Sequence, residues 1–136
     1  MRTILIADPD AMFAESLALD LRRAGFNVVD CAGPWPPRFR CVRCDVGYCP
    51  LTQGADALIY QADLVGLDRE GRRYNLAFDS ARAHPELPLF LVWHGESEPA
   101  CVVEILDAAP NARRAPEARS ELVRCLAQCT VMPSPV

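Results

Sequence analysis

Hydrophobic residues in this chain follow two arrangements: short unbroken runs, and longer stretches where they recur every three or four positions. Residues 3–7 (TILIA) are a run of the first kind, ended by Asp8-Pro9-Asp10, and predict a strand buried on both faces of a parallel sheet. From Asp10 the period changes. Phe13, Leu17, Leu21 and Ala24 predict a helix with Asp10 as its N-cap and Gly25 as its stop, and residues 26–31 read as a second strand. A strand, a helix and a strand within about thirty residues make a βαβ unit with a right-handed crossover.

A third apolar run opens at Ala55 (ADALIY) and a polar loop follows at 68–71. A helix is expected from about 72 to 84, with Leu76, Ala77, Ala81 and Tyr74 on its apolar face. Residues 89–93 predict a fourth strand, and Glu98-Pro99 opens a helix carrying Cys101, Val102, Ile105 and Leu106. A weak fifth strand is expected at 111–114. Pro116 then fits the first turn of a last helix with Ala118, Leu122, Cys125, Leu126 and Cys129 on one stripe. The pattern is that of an α/β, doubly wound parallel five-stranded sheet in a single domain over residues 1–130, with a flexible tail at 131–136.

One connection breaks the pattern. After the second strand a crossover helix is due, yet residues 32–50 carry Pro34, Pro36, Pro37 and Pro50, which forbid a regular helix through most of the segment. The helix is expected to be shortened or replaced by a Cys/Pro-rich loop. Cys31, Cys41, Cys44 and Cys49 are spaced C-x9-C-x2-C-x4-C along it. A C-x2-C pair supplies two soft ligands from one turn, so the four thiols are candidates for a structural Zn2+ site that orders the loop, with an iron-sulfur cluster as the rival. Cys49-Pro50 resembles cluster-binding segments in placing proline after a ligand cysteine. Disulfides, redox-labile thiols and unconnected reduced cysteines stay open. Trp35 fits either a partner-covered aromatic or packing within the loop.

Composition narrows the function classes. Of the 136 residues 51% are hydrophobic, enough for one core, and the net charge of −4 gives no nucleic-acid footprint and no basic membrane patch. All fourteen basic residues are arginine. The opening apolar run is too short for a signal peptide and no stretch reaches membrane-spanning length, so a cytoplasmic location is expected, where clustered cysteines favour metal or redox roles. Cys101, Cys125 and Cys129 sit on helical apolar stripes and read as core packing. His84 reads as a cation at a helix C-terminus.

The opening ILIADPD, the helix ending Arg23-Ala24-Gly25-Phe26, the strand Ala55-Asp56-Ala57-Leu58-Ile59 and Ala115-Pro116 before the last helix together resemble a response-regulator receiver (CheY-like) domain, across nearly the whole chain. The resemblance implies a flavodoxin-like sheet in the order 2-1-3-4-5 and a site at the carboxyl ends of its strands. It also implies phosphoryl transfer to an aspartate ending the third strand, with a metal held by an acidic pair, a Ser/Thr after the fourth strand and a lysine before proline. Asp8 and Asp10 match the acidic pair, and a residual Mg2+ site there competes with plain helix capping. The phosphoacceptor position falls on Gln61, the hydroxyl position on Trp93 and the lysine position on Ala115. Asp63 is the nearby substitute acceptor, Arg114 a substitute cation, and His94 lies on the same rim.

The expectation is therefore a degenerate receiver: a non-enzymatic signalling and protein-interaction module with a four-cysteine metal site. It meets a protein partner through the loop or through the face of the fourth and fifth strands. A redox or iron sensor with a labile cluster or switching thiols is the alternative, and an atypical phosphoacceptor using Asp63 is a third.

Overall fold

The computed structural model describes residues 2–31, 49–68 and 70–129. Strand β1 (Thr3–Ala7) lies between β2 (Asn27–Cys31) and β3 (Ala57–Gln61). Beyond β3 come β6 (Leu89–Val92) and β7 (Ala112–Arg114), and every neighbour in the order β2-β1-β3-β6-β7 is parallel. This is the doubly wound five-stranded sheet that the apolar runs predict.

Strand alternation divides the core in two. Ile4, Ile6, Ala57, Ile59, Phe90 and Val92 face α1 (Ala11–Arg23) and α5 (Arg119–Cys129), where they meet Leu17, Leu21, Leu122 and Leu126. Leu5, Ala7, Leu58, Tyr60, Leu89 and Leu91 face α3 (Leu76–Ala83) and α4 (Cys101–Ala108), where they meet Leu76, Ala77, Ala81, Val102 and Ile105. Because both faces are buried, each strand reads as a continuous apolar run. The same parity carries to the carboxyl edge, where it sorts the polar side chains.

Caps set the helix limits. Asp10 accepts the Phe13 N–H at 3.1 Å, as the N-cap of α1. At the other end Gly25 takes φ +95°, a left-handed turn that favours glycine, and its N–H reaches the Arg22 carbonyl at 3.0 Å.

Three expectations are corrected. Residues 72–75 are not helix: β4 (Val65–Leu67) and β5 (Arg73–Asn75) form an antiparallel hairpin, and Asn75 then caps α3 by accepting the Phe78 N–H at 2.8 Å. The hairpin closes on Asp68, which accepts the N–H groups of Glu70 at 3.0 Å and Arg72 at 2.8 Å. Those bonds, the Arg72 backbone first, lower its carboxyl below the ordinary range. Tyr74 lies across Gly66, where an added Cβ would stand 2.6 Å from the ring. Secondly, Pro116 precedes its helix rather than starting it, because the Ala115 N–H still bonds Leu91 at 3.0 Å and the chain needs further residues to turn. Thirdly, β3 starts at Ala57, since the Asp56 N–H and carboxylate both pair with Thr3 at 2.7 Å.

Pro34, Trp35, Pro36, Pro37, Cys41, Cys44 and the tail from 130 lie outside the described residues. The unusual crossover is described only at its ends, Cys31 and the short α2 (Pro50–Gln53).

Asn111 ties α3 to β7. Its side-chain N–H groups donate to the carbonyls of Ala81, His84 and Leu87 at 3.2, 3.1 and 2.8 Å, while its Oδ1 is buried without a described partner. Asn111→Ala removes these three bonds, leaving the His84 carbonyl only its bond from the Leu87 N–H, and is expected to cost roughly 1–3 kcal/mol. Asn111→Asp, which aims a carboxylate at three carbonyls, should cost more, both read by urea denaturation.

Candidate functional site

The carboxyl edge of the sheet is built around Asp8, whose side chain is 0% exposed. Its N–H continues the β1–β2 pairing by donating to the Cys31 carbonyl at 3.0 Å, which holds the carboxylate at the strand end. Oδ1 accepts the Asp10 N–H at 2.9 Å, and Oδ2 lies 2.6 Å from His94 Nε2. A carboxylate only accepts, so with Asp8 ionised Nε2 is the protonated ring nitrogen. The Phe13 ring meets the imidazole edge-on at 4.7 Å between centroids, closing one side of the pair. Asp10 is spent on the helix cap. Both acidic side chains thus have intramolecular partners.

Parity decides which of the other candidates reach this place. Gln61 ends β3 two residues after Ile59, so alternation sets it on the same face as Asp8 and His94. Trp93 falls on the opposite parity and packs with the α3/α4 core. Arg114 shares that parity but is exposed, and it pairs with Glu98, Nε to Oε1 at 2.5 Å and Nη2 to Oε2 at 3.3 Å. That pairing raises the guanidinium and lowers the Glu98 carboxyl from their ordinary values, chiefly through the hydrogen bond itself. Arg113, of Asp8 parity, lies over Phe90 and donates to Cys129 Sγ at 3.1 Å. Asp63 is not on β3: the strand ends at Gln61, a turn follows, and Asp63 is exposed. Its charge acts on Cys101, whose thiol is pushed up first by burial and then by Asp63. The structure brings Asp8, Asp10, Gln61 and His94 to one edge and face, and sends Asp63, Trp93 and Arg114 elsewhere.

The described cysteines do not converge. Cys31 lies at the carboxyl end of β2, in the row of Ala7 and Tyr60. Cys49 lies toward the other edge, where its carbonyl accepts the Thr52 hydroxyl at 2.7 Å and that oxygen lies 2.9 Å from His84 Nε2. Thr52 gives its only proton to Cys49, so His84 Nε2 must be a donor. His84, expected as a simple helix-end cation, thus ties α3 to the exit of the loop, a pairing invisible across 32 residues of sequence. No disulfide joins the five described cysteines, and no group of three or more His, Cys, Asp or Glu among the described residues is placed to hold a metal. Cys41 and Cys44 lie outside the described residues. Cys101 packs partly buried, with its thiol donating to the Ala62 carbonyl at 3.3 Å, and Cys125 and Cys129 pack partly buried against the other core.

His94→Ala takes the partner from a fully buried carboxylate and is expected to destabilise the fold by roughly 2–3 kcal/mol. Millimolar Mg2+ should restore part of that loss in the variant and leave the parent unaffected, as read from thermal midpoints.

Among solved structures, a response regulator receiver domain protein (CheY-like) from Methanospirillum hungatei is 16% identical, with a TM-score of 0.63 over 94% of this chain and 92% of that one. A protein assigned to pilus assembly (cpaE) from Burkholderia thailandensis is 26% identical, with a TM-score of 0.59 over 95% of this chain and 98% of that one. A pilus assembly-related protein from Burkholderia pseudomallei is 24% identical, with a TM-score of 0.56 over 96% and 90%. No protein-family model matches the chain, and no curated protein matches its sequence. No helix among the described residues is long and apolar enough to cross a membrane. In strand order, in helical cover on both faces and in likeness to these structures, the chain has the fold of response-regulator receiver domains.

Proposed function

We propose that this chain is a pseudo-receiver: a non-enzymatic signalling and protein-interaction module that keeps the receiver fold and has replaced its phosphoryl switch with a fixed hydrogen-bonded Asp8–His94 pair. The observation that carries this reading is the occupancy of Asp8. One oxygen holds the start of α1 through the Asp10 N–H and the other holds His94. A divalent cation bound there would have to displace the imidazole, and the acceptor position beside it is a carboxamide, Gln61, which forms no acyl phosphate. Asp63, the substitute acceptor, stands exposed on a turn past the strand end. The likeness to a pilus assembly protein over nearly the full length of both chains supports a place within a protein assembly. A partner protein is its ligand in this reading.

The Cys/Pro-rich segment is the second part of the proposal. Cys41 and Cys44 supply the compact C-x2-C pair of a structural Zn2+ site, with Cys31 and Cys49 at the ends of the segment as the remaining corners. Thiolates at these positions would give a closed tetrahedral site whose role is to order the loop. Because Cys31 and Cys49 start from opposite edges of the sheet, metal binding by all four would draw the two ends of the loop together.

Native mass spectrometry tests both parts at once. After incubation with acetyl phosphate and Mg2+, the expected mass is the chain with one zinc and no phosphoryl group. Added phosphoryl mass that Asp63→Asn abolishes would overturn the pseudo-receiver reading, and a visible absorption band that bleaches with oxidant would replace zinc with an iron-sulfur cluster.

A further inference from the structure

A cavity of about 330 Å3 opens between the start of α1, the carboxyl ends of β6 and β7 and the approach to α5. Its lining mixes apolar side chains, Phe13, Val92, Ala115 and Leu122 among them, with polar surface, and Val92 and Leu122 belong to the buried core. Ala115 gives it one small wall. The Ala115 N–H is held to Leu91 at 3.0 Å and its parity turns the methyl toward α1 and α5, where a longer side chain would fill the space. The size lies at the lower end of small-ligand pockets.

The charges at its mouth are not balanced. Glu96, Glu117 and Arg119 line it, and Arg119 already faces Asp20, Nε to Oδ2 at 3.5 Å. Glu96 and Glu117 are exposed and have no hydrogen bond or ion pair with any described residue. A half-open cavity, part apolar and part polar, with two uncommitted carboxylates in its lining suits one kind of occupant: a side chain with an aliphatic stem and a cationic head. An acidic or phosphorylated group would meet like charge there, and a purely aliphatic one would leave the carboxylates unused. Phe13 also offers a ring for a guanidinium plane.

We propose that this cavity is the socket for a lysine or arginine side chain presented by a partner protein. The proposal rests on the reading of the chain as an interaction module and names the surface it uses, on the α1/α5 side of the sheet. The stem lies along Phe13, Ala115 and Leu122, and the head sits between Glu96 and Glu117. Arg119, held by Asp20, forms the far wall and keeps the site from accepting a second cation.

The test is titration of the full chain, followed by amide NMR, with N-acetyl-arginine methylamide, N-acetyl-lysine methylamide and the neutral N-acetyl-norleucine methylamide. The basic probes are expected to shift Phe13, Ala115 and Leu122 and to bind roughly fivefold to tenfold more tightly than norleucine. The double variant Glu96→Gln, Glu117→Gln, both at exposed positions, should erase that preference, and high salt should weaken it. Ala115→Met, which fills the slot, should abolish binding of all three probes without lowering the thermal midpoint. Shifts confined to other residues, equal binding of norleucine, or an undiminished preference in the double variant would overturn the proposal. So would self-association of the parent chain that the double variant abolishes, since it would assign the socket to an arginine of a second copy. A phosphorylated chain that still binds the basic probes would overturn the pseudo-receiver reading while leaving the socket standing.

Discussion

Asp8 puts a carboxylate where water does not reach, and everything at the carboxyl edge of the sheet is arranged around that fact. A buried charge is tolerated only when paired and hydrogen-bonded. Asp8 meets the requirement with parts of this chain alone: the first N–H before α1 and the imidazole at the end of β6. The consequence reaches the backbone. β1, β2, the entry to α1 and the β6 exit loop are fastened at one point.

The sheet was largely legible in the sequence because its strands are buried on both faces, and continuous apolar runs such as TILIA and LFLV mark such strands plainly. The hairpin was not. Its strands are three residues each, too short to display a period of two, and Tyr74 imitated the helical stripe that begins at Leu76. The signal was Asn75, a capping residue directly before the helical run, which places the helix start about four residues later than the expected 72.

The site was legible in part, and for a definable reason. Asp8, Asp10 and His94 could be placed on the rim from strand ends, but which of them touch is set by parity and by contacts 86 residues apart. Parity also separates residues that sequence proximity groups together: Arg113 and Arg114 are adjacent, yet one covers Phe90 and the other holds Glu98 on the opposite face. The same rule exposes what small side chains do. Ala115 stands where the receiver resemblance places a lysine; in the fold it lines a cavity together with Glu96 and Glu117.

The account stands or falls on the Asp8–His94 pair. The most direct measurement is nitrogen NMR of the imidazole of His94 in the full chain at neutral pH, without and with Mg2+. The account predicts a protonated Nε2 whose proton is strongly deshielded and slow to exchange, and a spectrum that Mg2+ leaves unchanged. A ring protonated only at Nδ1, or one that Mg2+ releases from Asp8, would contradict it.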